Sequence, residues 1–307
     1  MHALQYHHGQ LEVQEEANSR DLADHMADWV GPAAEFAELA DMLVFAHRAE
    51  NGQLQLTCLS GAAPLVDVDG SSSLTIKSRL NGLPSGRVGG LAMNLAERRR
   101  VRLNGSLTAG SDDGRLEIDE AFTLCRKYLA PSTSEFESTT VGPRARHSLE
   151  LGDPWLADVV GRAETTFLAS VSPDGQPDVA HRGGPAGFLE FDPGAGRLAW
   201  PEYLGDGVFK SAGNVRAMPL STLVVVDIET GDAAELAGKA SYTNLRRMRG
   251  PRREPLLRDK FDFPTQGRMV LAIDSATKLE GFTSPRRRLP GTTRITSKST
   301  ADDQAPQ

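Results

Sequence analysis

At 307 residues, 39% of them hydrophobic and 24% charged, the chain is the size of two ordinary globular domains. Each half is long enough to bury a core without metals or disulfides. A formal net charge of −7 argues against bulk nucleic-acid binding, which wants a strongly basic face, and no run of about 18 apolar residues is present to cross a membrane. Two cysteines, Cys58 and Cys125, are too few for a disulfide framework or a cysteine metal cluster. The first fourteen residues lack the apolar core of a secretory signal, so the expectation is a cytoplasmic protein with buried free thiols.

In chain order, residues 1–30 read as a helical lead-in. Leu11, Val13, Ala17, Leu22, Met26 and Trp29 recur at roughly helical spacing, and Gly31-Pro32 ends the run. A short helix is predicted over 32–39. Strands at 42–47 and 54–59 flank Asn51-Gly52, a strong hairpin signal, and a second pair at 65–68 and 74–77 flanks Asp69-Gly70. Gly89 to Asn94 reads as a helical or loop crossing. Strands at 99–107 and 116–122 close the first set, and Arg98-Arg99-Arg100 reads as a solvated strand end from which one arginine could cross to the other half. Residues 131–147, rich in Ser, Thr and Pro, have linker composition. A helix over 149–163 then precedes strands at 166–172, 177–181, 188–192, 197–200, 221–227, 233–241 and 269–275. From Pro285 the chain turns polar and basic and is expected to be a disordered tail.

The chain also repeats itself at an offset of about 123 positions. Asn51-Gly52-Gln53 falls on Asp174-Gly175-Gln176, and Ser60-Gly61 falls on Gly183-Gly184. Many short strands in two similar sets predict a mainly β (α+β) protein of two small antiparallel barrels with short flanking helices. The expected domains are 1–130 and 148–284, with a linker at 131–147 and a tail at 285–307. The copies differ at one informative place, where Cys58-Leu59 corresponds to His181-Arg182. One half is therefore expected to bind an anion while the other supports it.

Two segments of the second half carry that expectation. In His181-Arg182-Gly183-Gly184-Pro185, two glycines free backbone N–H groups beside a planar fork of donors, a combination suited to phosphate; a hairpin turn with a surface arginine would read the same way. After Trp200-Pro201-Glu202-Tyr203, a Gly-rich loop leads to Lys210-Ser211 at the start of a short helix, where orphan N–H groups and the helix dipole favour an anion. The corresponding first-half stretch, 79–87, has glycines but no Lys-Ser pair. His181 titrates near neutrality and is the candidate proton donor, with a role in orienting Arg182 or bonding the backbone as the alternative. Cys125 beside Lys127 reads as a buried structural thiol rather than an activated one. His7-His8 lacks the partners of a metal site.

The stretch from Phe167 to Phe188, then Leu198-Ala199-Trp200-Pro201-Glu202-Tyr203, Gly205, Phe209, Ser211, Gly213-Asn214 and Leu236-Ala237-Gly238-Lys239-Ala240, resembles the pyridoxamine 5′-phosphate oxidase-like, FMN-binding split-barrel family. Tyr6-His7-His8-Gly9-Gln10, Arg98 to Gly105 and Cys125-Arg126-Lys127-Tyr128 look like its tandem branch, with two barrels in one chain. The likeness spans roughly residues 6–284. It implies two split barrels forming an intrachain pseudo-dimer around non-covalent FMN, hydride transfer through flavin N5, and an unidentified small-molecule substrate. It also implies that Arg182, Lys210 and Ser211 take the phosphate and that the backbone from Trp200 to Tyr203 borders the ring, with Gly183, Gly184 and Asn214 also in the cofactor site. Departures from the pattern are Pro185-Ala186 in place of Asn-Pro, Asp206-Gly207 in place of a more amide-rich turn, and Arg126 in place of Pro. Alternatives on the same scaffold are a deazaflavin, a haem ligated by His47, His147 or His181, or a flavin-binding protein without turnover. Further assembly into a homodimer stays open.

Overall fold

The computed structural model describes residues 4–26, 30–70, 72–77, 82–110, 113–129, 139–245, 248–249, 252–253 and 257–287. Trp29, Arg79, linker residues 131–138 and tail residues 288–307 lie outside the described residues. The first part of the chain contains α1 (His8–Glu16), α2 (Arg20–Asp24), α3 (Val30–Ala37), β1 (Met42–Arg48), β2 (Leu54–Ser60), β3 (Val66–Val68), β4 (Ser73–Ile76), β5 (Gly86–Asn94), β6 (Arg99–Ala109), β7 (Gly114–Thr123) and β8 (Thr140–Val141). The second part contains β9 (Ala145–Leu149), α4 (Pro154–Arg162), β10 (Thr165–Val171), β11 (Pro177–Gly183), β12 (Glu190–Asp192), β13 (Arg197–Tyr203), α5 (Lys210–Ala217), β14 (Leu220–Val226) and β15 (Ala233–Asn244). The short β16 (Met248–Arg249), β17 (Arg252–Arg253) and β18 (Leu257–Arg258) follow, and then the long β19 (Pro264–Glu280).

Two curled antiparallel sheets result, as expected for two split barrels. The first runs β3-β4-β7-β6-β5-β1-β2-β8. The second runs β12-β13-β19-β15-β14-β10-β11, with β9 and β18 also paired to β19. Replacing β1–β6 by β10–β15 in turn, and β7 by β19, converts the first order, apart from β8, into the second, so the sequence repeat is a repeat of topology. Both sheets carry a register shift in the corresponding strand pair, at Asn104/Gly105 and at Ala237/Gly238.

Side-chain alternation along single strands then builds three cores. In β1, Leu43 and Phe45 enter the core of the first sheet, while Met42, Val44 and Ala46 enter a core shared between the sheets. In β10, Leu168 enters the second sheet's core, while Phe167, Ala169 and Val171 join the shared one. A period-two strand packed on both faces is apolar on both, as Met42–Ala46 and Phe167–Ala169 are.

Several expectations are corrected. Gly89 to Asn94 belongs to a strand, β5. A Cβ at Gly89 would fall inside contact distance of the Asp178 backbone, so the glycine serves close approach of the two sheets and not a loop. Gly31-Pro32 lies inside α3 and does not stop a helix, as suits proline in a first turn. The lead-in is broken at Ala17-Asn18-Ser19, where Asn18 takes φ 48°. The supposed linker supplies β8 and β9, edge strands that use backbone bonds to β2 and β19. At the expected tail, Arg286 is fully buried against Asp41, 3.0 Å away. No helix among the described residues is long and apolar enough to cross a membrane.

Candidate functional site

The site begins with β6. Val101, Leu103 and Leu107 face the first core, so Arg100, Arg102 and Asn104 occupy the opposite face. That face is also buried, because the second sheet covers it: Arg100 is 9% exposed, Arg102 4% and Asn104 3%. Arg102 pairs with Asp178 of β11, which also accepts from Asn104 Nδ2 at 3.2 Å. Arg100 Nη1 donates to His181 Nδ1 at 2.7 Å. The arginine run is thus not a solvated strand end, and Arg100 and Arg102 both cross to the other half.

These contacts floor a crevice of about 100 Å³, walled by β6, β7 and the 124–128 segment on one side and by β11, β13 and the 205–212 segment on the other. His181, Arg182, Gly183, Tyr203, Lys210 and Ser211 all line it. Its volume is below the roughly 300–1,000 Å³ of pockets that enclose a drug-sized ligand, so a larger ligand would lie partly in the mouth. A second cavity, of about 410 Å³, lies beside the α1 entrance and shares Lys210 as a lining residue.

Both predicted phosphate cations sit in the crevice, and both already have counter-ions. Arg182 Nε donates to Glu202 Oε1 at 2.7 Å; the arginine side chain is 21% exposed. Lys210 Nζ contacts both carboxylate oxygens of Glu120 across the junction of the halves. Glu120 on β7 lies two residues before Phe122, whose ring is 5.7 Å from the Lys210 ammonium. The start of α5 has no side-chain cap: its N-cap, Phe209, is left-handed (φ 53°), and the first residues, Lys210, Ser211 and Ala212, line the crevice.

His181 does not orient Arg182 through its ring; Arg182 Nη1 instead donates to the His181 carbonyl at 3.2 Å. Burial, with the Arg100 and Arg182 charges added, holds the His181 pKa well below its ordinary value. Arginine can only donate, so Nδ1 accepts and the proton of the neutral ring sits on Nε2. Nε2 has no hydrogen-bond partner among the described residues. That tautomer makes His181 a hydrogen-bond donor, and it leaves no Nε2 lone pair for an axial haem bond.

An aromatic wall completes the crevice. Tyr128, from the first half, stacks on Tyr203 with centroids 4.8 Å apart, and Phe263 packs edge-on to both. Tyr203 Oη donates to Asp259 Oδ2 at 2.6 Å; burial, then Asp259, pushes that phenol far above its usual pKa.

Three predicted site residues lie elsewhere. Trp200 is fully buried in the second core and donates to Glu202 at 3.0 Å; it positions that carboxylate and does not border the crevice. Gly184 is set back from the crevice, where a Cβ would lie 2.6 Å from the Phe188 ring. Asn214 accepts from His7 Nε2 at 2.8 Å and from Gln10 Nε2 at 3.0 Å, and it donates to Ser170, tying α1 to β10. Sequence reasoning missed Arg100 as a crevice residue, and it missed Arg102, Glu120, Asp178 and Glu202. The signal available was Arg100-x-Arg102-x-Asn104, a polar period-two face in a strand whose other face is apolar. Among the described residues no cluster of His, Cys, Asp or Glu could hold a metal.

At the equivalent place in the first half, Cys58 to Ser60 meet the chain that follows β19. Ser284 N donates to Ser60 Oγ at 2.6 Å, and Thr140 Oγ1 lies 3.1 Å from Ser284 Oγ. Arg286 fills the adjacent interior against Asp41. Burial pushes the Cys58 thiol up to about 12. Among the described residues, Cys58, Leu59 and Ser60 at the sister position are fully buried.

No protein-family model matches the chain, and no curated protein matches it. Among solved structures, it is similar to a histidine-to-alanine variant of HupZ from Group A Streptococcus, at 14% identity over 41% of this chain and 98% of that one, with a TM-score of 0.29. It is also similar to a protein assigned as a pyridoxamine 5′-phosphate oxidase from Lactobacillus delbrueckii (20% identity, 42% and 93% covered, TM-score 0.28). A pyridoxamine 5′-phosphate oxidase-related, FMN-binding protein from Nostoc punctiforme matches at 13% identity (46% and 94% covered, TM-score 0.29). Each likeness spans under half of this chain and carries no argument about activity.

Proposed function

We propose that this chain is a flavin (FMN)-dependent oxidoreductase of the pyridoxamine-phosphate-oxidase-like type, with one cofactor per chain and a small-molecule substrate. One observation carries the reading: Arg182, Lys210 and Ser211 converge on a single crevice walled by both halves. Bound FMN would supply hydride transfer at N5; the protein supplies placement and electrostatics. Arg182 and Lys210 would take the phosphate by exchanging Glu202 and Glu120 for it, beside the Ser211 hydroxyl and the uncapped start of α5. The donor set suits a phosphate in kind, and the exchange leaves the number of ion pairs unchanged. Pro201, Glu202 and Tyr203 would border the ring, with the His181 Nε2–H available to an acceptor on it. The packed sister position supports a stoichiometry of one.

Purified protein titrated with FMN tests the reading, with absorbance reporting binding and stoichiometry. Arg182→Ala and Lys210→Ala should each weaken binding by about 1.5–3 kcal/mol, the worth of a charge-assisted contact. Glu120→Gln should tighten it, since it removes the anion competing for Lys210. A colourless protein that ignores added FMN refutes the proposal, and unchanged affinity in the double alanine variant refutes the phosphate placement. Reductive and oxidative half-reactions separate an oxidoreductase from a binding protein.

A further inference from the structure

We propose that the cavity of about 410 Å³ beside α1 receives a small organic ammonium ion, and that the Lys210–Glu120 pair couples its occupancy to that of the crevice. Lys210 lines both hollows, whereas Glu120 lines the cavity and not the crevice. The pair is therefore the partition between them. Its side chains are only 12% and 21% exposed, so a charge separated from its partner there would be poorly hydrated. Asn104 Nδ2, also on the cavity wall, donates to Glu120 Oε1 at 3.0 Å and holds the carboxylate in place. An anion that takes Lys210 from the crevice side leaves this carboxylate facing the cavity without its cation. The inference rests on the flavin reading for that anion and extends it to a second ligand.

The lining fixes the charge of that ligand. Glu120, Asp174 and Asp178 contribute carboxylates, and Lys210 is its one lysine or arginine among the described residues. His7 adds no cation: Nε2 donates to Asn214 Oδ1 and Nδ1 accepts from Gly9 N at 3.2 Å, the pattern of a neutral ring. Burial, then Glu120, pushes the Tyr6 phenol on the same wall up to about 12, so the Glu120 charge is felt within the cavity. A second anion would meet three carboxylates there, and a neutral molecule would not displace Lys210 from Glu120. Among the described residues no cluster of His, Cys, Asp or Glu can hold a metal ion. The volume lies within the roughly 300–1,000 Å³ of ligand pockets, which suits an organic cation. An anion alone strands Glu120, and an ammonium alone strands Lys210. With both bound, each protein charge has a partner, so the two ligands bind with positive cooperativity.

Butylammonium chloride is titrated by calorimetry into the FMN-free full-length chain at constant ionic strength, with butan-1-ol as the uncharged control. Lys210→Met removes the competing ammonium and keeps most of the bulk. Butylammonium should then bind roughly ten- to hundred-fold more tightly than to the native chain, the worth of one charge-assisted contact. Adding Glu120→Gln should abolish the gain. If Lys210→Met does not fold, Lys210→Gln carries the same comparison, since it can still hydrogen-bond to Glu120 without a charge. In the native chain, saturating butylammonium should tighten FMN binding by about five-fold or more, and Glu120→Gln should bind FMN without that response. Affinity for butylammonium unchanged in the Lys210 variants, a gain that survives Glu120→Gln, or equal binding of butan-1-ol overturns the site. Bound FMN that ignores butylammonium overturns the coupling. Failure to bind FMN at all refutes the flavin reading alone: the Lys210 comparison needs no FMN, and inorganic phosphate then replaces FMN in the coupling measurement.

Discussion

Asp178→Asn removes the counter-charge from Arg102 while nearly preserving shape. In the native chain the two side chains, Arg102 and Asp178, are 4% and 2% exposed, and they join the two sheets. The variant leaves a guanidinium in the interior without an anion, a loss of about 3–5 kcal/mol. Against a typical stability of roughly 5–15 kcal/mol that is a large fraction. At about 2–4 °C per kcal/mol for chains approaching this size, the melting temperature should fall by roughly 6–20 °C. Thermal unfolding followed in the far and near ultraviolet measures it, and urea titration supplies the free energy. The decisive control is Arg102→Met with Asp178→Leu, which removes both charges and retains bulk. It should recover most of the lost stability, because an apolar pair needs no desolvation. The reasoning is refuted if Asp178→Asn stays within about 1 kcal/mol of the native chain, or if the double variant is as unstable as the single one.

Two further outcomes follow from the same packing. Gly89→Ala should destabilise by about 1–3 kcal/mol, because its methyl group would meet the Asp178 backbone, which cannot swing aside as a side chain can. Gly161→Ala, in α4 with nothing within 4 Å of the added methyl, should instead stabilise by about 0.5–1 kcal/mol; calorimetric melting of both checks the pair. Acid should weaken the fold: burial, then the Arg146 charge, lowers the His47 pKa from 6.5 to about 4. The unfolded chain therefore binds a proton below pH 6.5 that the folded chain refuses until about 4. Stability is full above pH 6.5 and falls by about 1–3 kcal/mol as pH drops through that window. The lowered values at His7 and His181 act in the same direction. His47→Gln should flatten the profile in urea titrations at pH 7 and 4.5, and an unchanged loss would show that His47 is not its source.

Hairpins at Asn51-Gly52 and Asp174-Gly175, and the strands that flank them, were legible because they depend on neighbours a few residues apart. Arg182, Lys210 and Ser211 could be singled out for the same reason, since glycines and a helix start surround them. Trp200 and Asn214 could not be sorted from the site residues, because their roles in a core and in tethering α1 depend on distant partners. Gly89 to Asn94 misled because glycine in a loop and glycine at a close approach look alike until the opposing backbone is in place. Arg286 misled because a basic run reads as solvated wherever no buried acid is known to await it.

Local pattern in the chain thus determined the two-fold repeat, the β class and the presence of basic, glycine-loosened loops in only the second half. Tertiary structure decided which charges are spent. Lys210 meets Glu120 across 90 positions, Arg102 meets Asp178 across 76, and Arg100 meets His181 across 81. Charge balance inside a protein is set by whichever groups the fold brings within a few ångströms, in surroundings that screen weakly. Separation along the chain does not encode it.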